Sequence, residues 1–472
     1  MIVSEACWSR WQFGRCQLGD VRRTKRLEDI GARLARHAGS SLAQCSRGDM
    51  VATLGSYRLM NNEHVDPEAI AEGGFAAVAK AVQGEGLLLA VEDTTSLSYA
   101  HSVAEQLGTI GSQAQAKHRG YWVHSVLLLD AGSERTLGLI EQRRWCRKDE
   151  EHGKKHARRQ RPYEDKESYK WQQASQRVAA RLGGAMMRTI SVCDRESDIY
   201  KYLCYKRDQA QRFVIRAQSD RGLSGDEQTL FEALSGELPW LYETVVEVAQ
   251  RGGRVARTAH VQVCARCVEL RAPALDKQSL PVSTNVVVVR ERGQSEDASL
   301  NWILLTSEPI ETEEQVRRIV RYYELRWRIE EYHKAWKSGV GVERLRFQSA
   351  ASLERMVVIT AFVAVRLLQL REQALPSRED TQDVENKKTE LTCDHVLKDD
   401  EWKVLWLTCQ NTPLPTSPPT TRWACLAIAK LGGFADTKRT GRPGWEAMWR
   451  GWQLLQERIE GFRLAKIMTL EM

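Results

Sequence analysis

Leu87-Leu88-Leu89-Ala90-Val91-Glu92-Asp93 is a run of five apolar residues closed by two acids. An unbroken apolar run of that length suits a strand buried on both faces, as in a parallel sheet. Its acids then fall at the strand's carboxyl end, where open α/β sheets gather their sites. Thr189-Ile190-Ser191-Val192-Cys193 repeats the pattern and closes on Asp194. One such aspartate most simply serves as a helix cap or turn residue. Two of them, followed by Thr94-Thr95-Ser96 and by Arg195-Glu196-Ser197-Asp198, point to a hard-cation site. A carboxylate at the edge of an apolar layer is costly unless it is paired or metal-bound.

Between these runs, 122–129 and 136–141 read as two further strands joined at Ala131-Gly132-Ser133, and 166–182 as a helix. Strand, strand, strand, helix, strand is the opening of a ribonuclease-H-like α/β core. Residues 213–306 are β-rich, with runs at 213–215, 244–248, 259–263, 286–289 and 302–305 and a turn at Gly252-Gly253. Upstream, Leu27, Ile30 and Leu34 keep helical spacing among Arg22, Arg23, Lys25, Arg26, Arg33 and Arg36, and 57–60 reads as a short helix ending at Asn61-Asn62. Downstream, 353–370 is apolar enough for a buried helix, and a polar stretch with Ser377, Asn386 and Lys387, then the Pro-rich 412–419, marks a boundary. Trp423, Leu426, Leu431, Trp445, Met448, Trp449, Trp452 and Leu455 follow at near-helical spacing, a surface suited to a helical partner. The expected organisation is a helical domain at 1–68, a catalytic domain at 69–372 with a β-rich insertion at about 213–306, and a linker with a helical domain at 373–472.

Residues 313–337 read as one long helix, with Thr312 as its cap and Gln315 as the capping-box partner. At 3.6 residues per turn, Tyr323, Arg326, Glu330 and Lys337 share one stripe, while Tyr322, Leu325, Ile329, Tyr332 and Trp336 form a second. Glu330 with Lys334 is also an ordinary i,i+4 pair of an exposed helix. Beside two strand-end aspartates, however, Glu330 supplies a third carboxylate. Such a trio can hold two divalent ions roughly 3.5–4 Å apart, the arrangement that stabilises attacking and leaving oxygens in phosphoryl transfer. Arg326, Lys337 and the Tyr323 hydroxyl then lie along a phosphate track.

Composition narrows the alternatives. Lys and Arg number 69 against 62 acids, a net +7, so the placing of the charge matters more than its total. Residues 1–50 carry nine basic against five acidic residues and 141–162 carry nine against four, clusters that suit a polyanion or a solvated face. The near-apolar run 356–365 is too short for the ~20 residues that cross a bilayer. The amino terminus lacks a secretory pattern, so a cytoplasmic protein with no membrane partner is expected. Eleven cysteines are then reduced thiols, and the lone Cys264-x-x-Cys267 pair reads as packing on a strand, not zinc. No G-x-x-x-x-G-K-[ST] loop or H-E-x-x-H pair is present.

Tyr323-x2-Arg326-x3-Glu330-x6-Lys337 resembles the Y-R-E-K signature of the hairpin-forming DDE transposases of bacterial insertion sequences. The likeness extends over Leu18-Gly19-Asp20-x-Arg22-Arg23-Thr24, 92–99, 122–129, Cys193-Asp194-Arg195-Glu196, 326–331 and 427–434. The resemblance implies a ribonuclease-H-like core in which Asp93, Asp194 and Glu330 are the catalytic, metal-binding triad for two Mg2+ or Mn2+ ions. It implies nicking at the transposon end, hairpin formation, hairpin opening and joining to target DNA. Trp302 takes the position of an aromatic that receives a flipped base, although as a residue it is equally a core strand tryptophan. The partners implied are double-stranded DNA, both inverted-repeat ends and target, and a second copy of the chain in a synapsed homodimer, in a bacterial cytoplasm at the nucleoid. Arg58 is a candidate DNA contact with Arg22, Arg23 and Arg26, which as residues are equally exposed helix charges. A two-metal nuclease on the same core and an inactive DNA-binding repressor are the competing readings. The segment 149–163 and the linker 373–421 depart from the group's pattern, and the number of cysteines exceeds it.

Overall fold

The computed structural model describes residues 4–110, 118–147, 161–225, 228–248, 257–274, 276, 279–293, 299–374, 392–395, 397–410, 412–437 and 443–471. Most of the basic loop 149–163, the Gly252-Gly253 turn and the linker residues Ser377, Asn386 and Lys387 lie outside the described residues. The chain divides into two compact units, Met1–Ala77 with Leu97–Gly120 and Glu331–Met472, and Val78–Ser96 with Tyr121–Glu330.

The second unit is built on a sheet. The strands of the chain, in order, are β1 (Leu88–Tyr99), β2 (Gly108–Thr109), β3 (Arg119–Asp130), β4 (Thr136–Trp145), β5 (Thr189–Cys193), β6 (Arg212–Arg216), β7 (Tyr242–Val248), β8 (Arg257–Leu270), β9 (Val282–Glu291) and β10 (Asn301–Thr306), and β4 to β10 lie wholly in this unit. From β3 the spatial order runs β3-β1-β5-β6-β10-β9-β8-β7, with β4 antiparallel on β3. β1 pairs parallel with β5 and β5 parallel with β6, and the remaining pairs from β6 through β10 to β7 are antiparallel. β5 is buried at every residue, Thr189 and Ser191 included, as suits a central parallel strand.

Helix Lys170–Leu182 and the end of helix Pro67–Ala81 cover the sheet, packing Val78, Val82, Val178 and Leu182 on Leu88, Val126 and Ile140. Around β6, β9 and β10 a larger cluster joins Trp171, Tyr202, Phe213, Ile215, Val286 and Leu305. β6 belongs to the parallel ladder and β10 pairs beside it. The apolar run Phe213-Val214-Ile215 therefore lies in the parallel part of the sheet, and the strands from β7 to β10 are antiparallel.

Two expectations need correction. The strand at 87–91 does not end at Glu92 and Asp93. β1 continues to Tyr99, fully buried from Leu88 to Glu92 and half-buried from Asp93 to Ser96. Its ladder with β5 stops at Val91, and the polar residues after that point continue the extended chain. The helix expected over 313–337 is also not continuous. Thr312 and Gln315 form the capping box of helix Glu313–Leu325, the chain breaks at Arg326, a second helix runs Trp327–Lys334, and Ala335–Val340 is a π-helical turn ending at left-handed Gly341.

In the first unit, Asp20 caps helix Val21–Arg36, which buries Leu27, Ile30 and Leu34. Helix Ala350–Ala374 lies among the amino-terminal helices: the missing Cβ of Gly74 leaves room for the Phe362 ring, and Arg355 donates to the Met60 and Val65 carbonyls. The carboxy-terminal helices Asp399–Gln410, Thr421–Leu431 and Trp445–Glu471 enclose Trp402, Leu405, Ile428, Leu455 and Ile459, with Trp423, Leu431, Met448 and Trp452 packed around them. Trp449 Nε1 and Gln453 Nε2 both donate to the Ala38 carbonyl, at 2.8 and 2.9 Å. Trp423, Leu431, Met448, Trp449 and Trp452 of the expected stripe are half-buried among these helices, while Phe462, Leu464, Ile467 and Met468 are exposed toward the carboxyl end of the last one. Cys264 is buried and Cys267 exposed on β8; their odd spacing sends them to opposite faces of the strand.

Gly120 of β3 passes tightly against the Leu97 carbonyl of β1: a Cβ there would stand 1.7 Å from that oxygen. Gly120→Ala is expected to pry the strands apart and cost about 1–3 kcal/mol, read as a lower thermal midpoint. An unchanged midpoint would contradict the close approach.

Candidate functional site

The ladder of β1 on β5 brings the two aspartates near each other. Leu89 lies opposite Ile190 and Val91 opposite Val192, and Asp93 and Asp194 follow two residues beyond that last pair, close enough for the Asp194 charge to act on Asp93. Asp194 follows β5 directly and caps the turn Arg195–Ser197, accepting from the Glu196 N–H at 2.9 Å. Asp93 Oδ1 accepts from the Thr94 N–H at 2.8 Å. Glu330 stands in the first turn of helix Trp327–Lys334, and Arg326 Nη2 donates to its Oε1 at 2.9 Å.

These charges meet at Asp93. Burial, chiefly, lifts its carboxyl from the ordinary 3.8 to about 7; Arg326 opposes the rise, while Asp194 and Glu330 add to it. A desolvated carboxylate crowded by two others is the donor chemistry that a hard divalent cation relieves. As placed, however, no three His, Cys, Asp or Glu among the described residues gather closely enough to hold one metal ion, and Arg326 holds Glu330. The donor set fits a divalent cation in kind, and Asp93, Asp194 and Glu330 are the residues that could hold it.

Tyr323 and Trp302 extend the same side. Trp302, half-buried on β10, meets Tyr323 edge to face, with ring centroids 4.9 Å apart and planes at 70°. The Arg326 guanidinium lies 5.8 Å from the Tyr323 ring centre. Burial raises the Tyr323 phenol, and Arg326 and Arg216 partly offset that rise. The role of Arg216 is not assigned by the sequence reading. It closes β6, donates to the Asn301 carbonyl at 2.9 Å, and its charge acts on the Tyr323 phenol. An arginine closing an apolar strand 22 residues after Asp194 was the available signal.

Lys337 lies on the π-helical turn Ala335–Val340, in the first compact unit. The amino-terminal arginines are partly engaged at home. Arg22 is exposed and paired with Asp20 at 2.8 Å, Arg23 donates to the Leu18 carbonyl at 2.9 Å, and Arg26 pairs with Asp29 at 3.4 Å beside Gly55. Arg58, on helix Met50–Met60, is exposed.

Residues 5–65 match the family described as Transposase DNA-binding, and residues 74–366, more than half the chain, match the family described as Transposase DDE domain. The chain belongs to the DDE transposases. Among solved structures, this transposase is similar to the cryo-EM structure of a piggyBac transposase synaptic complex with hairpin DNA. The identity is 10% and the TM-score 0.38, over 87% of this chain and 91% of that one, a likeness too loose to carry an argument. Among the described residues of the transposase, no helix is long and apolar enough to cross a membrane.

The raised carboxyl of Asp93 sets a pH dependence. In the unfolded chain it ionises near 3.8 and in the folded chain near 7, so its cost to stability grows across that interval and is constant above it. Asp93→Asn is expected to raise the melting temperature in EDTA at pH 8 by the equivalent of about 1–3 kcal/mol, with the gap closing as pH falls toward 4. Mg2+ or Mn2+ is expected to stabilise the unsubstituted chain and not the variant. Equal melting at pH 8 would contradict the crowded carboxylate.

Proposed function

We propose that this DDE transposase is a cut-and-paste enzyme of the Y-R-E-K group, like the transposase of transposon five, in which Asp93, Asp194 and Glu330 bind two Mg2+ or Mn2+ ions. The observation that carries the reading is the gathering of Asp93, just past the β1–β5 ladder, Asp194, just after β5, and Glu330, whose ion-pair partner Arg326 also acts on Asp93, from positions more than a hundred residues apart in sequence. The strand order β4-β3-β1-β5-β6, antiparallel at one end and parallel through β1, β5 and β6, supports a ribonuclease-H-like core. When bound, the ions supply activation of the attacking oxygen and neutralisation of charge on the phosphate in transfer.

The chain's own residues do the rest. Arg326, close to both Asp93 and Glu330, holds Glu330 in place and offers positive charge to a scissile phosphate. Tyr323 and Arg216 extend that polar track toward Trp302, whose half-exposed ring is available to a flipped base. On this reading, water nicks the transposon end, the released 3′-hydroxyl attacks the opposite strand to make a hairpin, water opens it, and the 3′ ends join target DNA. Residues 1–68 engage the inverted-repeat ends, with Arg22, Arg23, Arg26 and Arg58 as contacts and Lys337 as a further phosphate contact. The synapsed enzyme is a homodimer through its carboxy-terminal helices.

Linear DNA carrying the flanking inverted repeats, incubated with the protein and Mg2+ and run on a denaturing gel, tests this. Hairpins and joined products are expected; random nicks alone would favour a two-metal nuclease. Glu330→Ala is expected to reduce cleavage below detection while end binding in a gel shift stays within about twofold, because a metal ligand is lost and not a phosphate contact. Normal nicking by that variant would remove Glu330 from the triad. Trp302→Ala is expected to nick normally and accumulate few hairpins, and wild-type hairpin yield would reject base stacking there.

A further inference from the structure

Asp93 sits between two residues that point the other way. Alternation along β1 sends Glu92 and Thr94 to the face opposite Asp93. There they meet one imidazole, that of His124 on the neighbouring β3. Thr94 Oγ1 lies 3.0 Å from His124 Nδ1, and His124 Nε2 lies 3.4 Å from Glu92 Oε2. The His124 side chain is fully buried, the Glu92 side chain is 2% exposed, and the Trp171 ring meets the imidazole edge-on at 4.6 Å. A carboxylate accepts, so both contacts are made when Nε2 carries the proton and donates to Glu92 while the Thr94 hydroxyl donates to Nδ1.

This clamp spans the point where β1 leaves its ladder with β5, after Val91. Beyond that point β5 no longer holds the backbone of Asp93 and Thr94. The Thr94 N–H is the group that donates to Asp93 Oδ1, at 2.8 Å. Its direction depends on the Thr94 backbone, and that backbone is tethered through the Thr94 hydroxyl to His124.

We infer that the Glu92–His124–Thr94 chain is a positioning device that sets the rotamer of the Asp93 carboxylate for metal binding. None of the three touches the cation; each acts through Asp93. Fixed orientation of a ligand by groups behind it is commonly worth 10–100-fold in metal affinity. The inference rests on the reading of Asp93 as a metal ligand.

Thr94→Val keeps the β-branched shape and removes the hydroxyl, whereas Thr94→Ser keeps the hydroxyl and removes the methyl. Mn2+ affinity of the full-length chain, measured by electron paramagnetic resonance of the free ion, is read together with the melting temperature in EDTA. Thr94→Val is expected to weaken Mn2+ binding about 10-fold with little change in melting, and Thr94→Ser to bind nearly as the unsubstituted chain does. Unaltered binding by Thr94→Val, equal weakening by both variants, or loss of the fold in Thr94→Val would each overturn the inference. Asp93→Asn is the separate control. If it binds Mn2+ undiminished, the metal-ligand reading of Asp93 fails first; if it does not bind while Thr94→Val binds normally, only the positioning role fails.

Discussion

A parallel ladder of four residue pairs, Leu88–Val91 against Thr189–Val192, sets the chemistry of the second compact unit. It leaves Asp93 and Asp194 each two residues beyond the last pair, near enough for their charges to interact. Like charges at that spacing in a partly dry setting repel, and burial adds to the cost. Arg326 offsets part of it, being held within reach of Asp93 by the helix that also carries Glu330. Trp302, Tyr323 and Arg216 are then arranged around this arginine and its helix, so the polar track follows from where the sheet sets its two acids.

The central strands were readable because burial on both faces leaves an unmistakable apolar run, as at Leu88–Val91 and Thr189–Cys193. The acids were readable because they interrupt those runs. The true end of β1 was not, since Thr94, Thr95 and Ser96 carry no apolar pattern once one face is half-exposed. A polar stretch following a buried strand reads the same whether it turns or continues.

The helix holding Glu330 shows a different limit. Periodicity correctly set Tyr323, Arg326 and Glu330 near one another, because these residues are within two turns. The break at Arg326 and the π-helical turn that carries Lys337 leave no trace in the periodicity. Thr94 and His124 lay inside stretches that the family likeness already quoted, yet 30 residues of separation hid their contact. Arg216 was hidden for the same reason: its partner Tyr323 is on a helix more than a hundred residues away. Side chains that matter through tertiary contact leave no local rhythm to detect.

The carboxy-terminal tryptophans bear on how deletions should be interpreted. Trp423 and Trp452 close an apolar cluster, while Trp449 and Gln453 occupy the Ala38 carbonyl beside helix Val21–Arg36. A chain shortened before the last helix would strip cover from Leu405 and Ile428 and leave that carbonyl without either donor. Its behaviour would report a damaged hydrophobic seam as much as a missing activity, so point substitutions on the outer face of the helix dissect that region more cleanly than truncation.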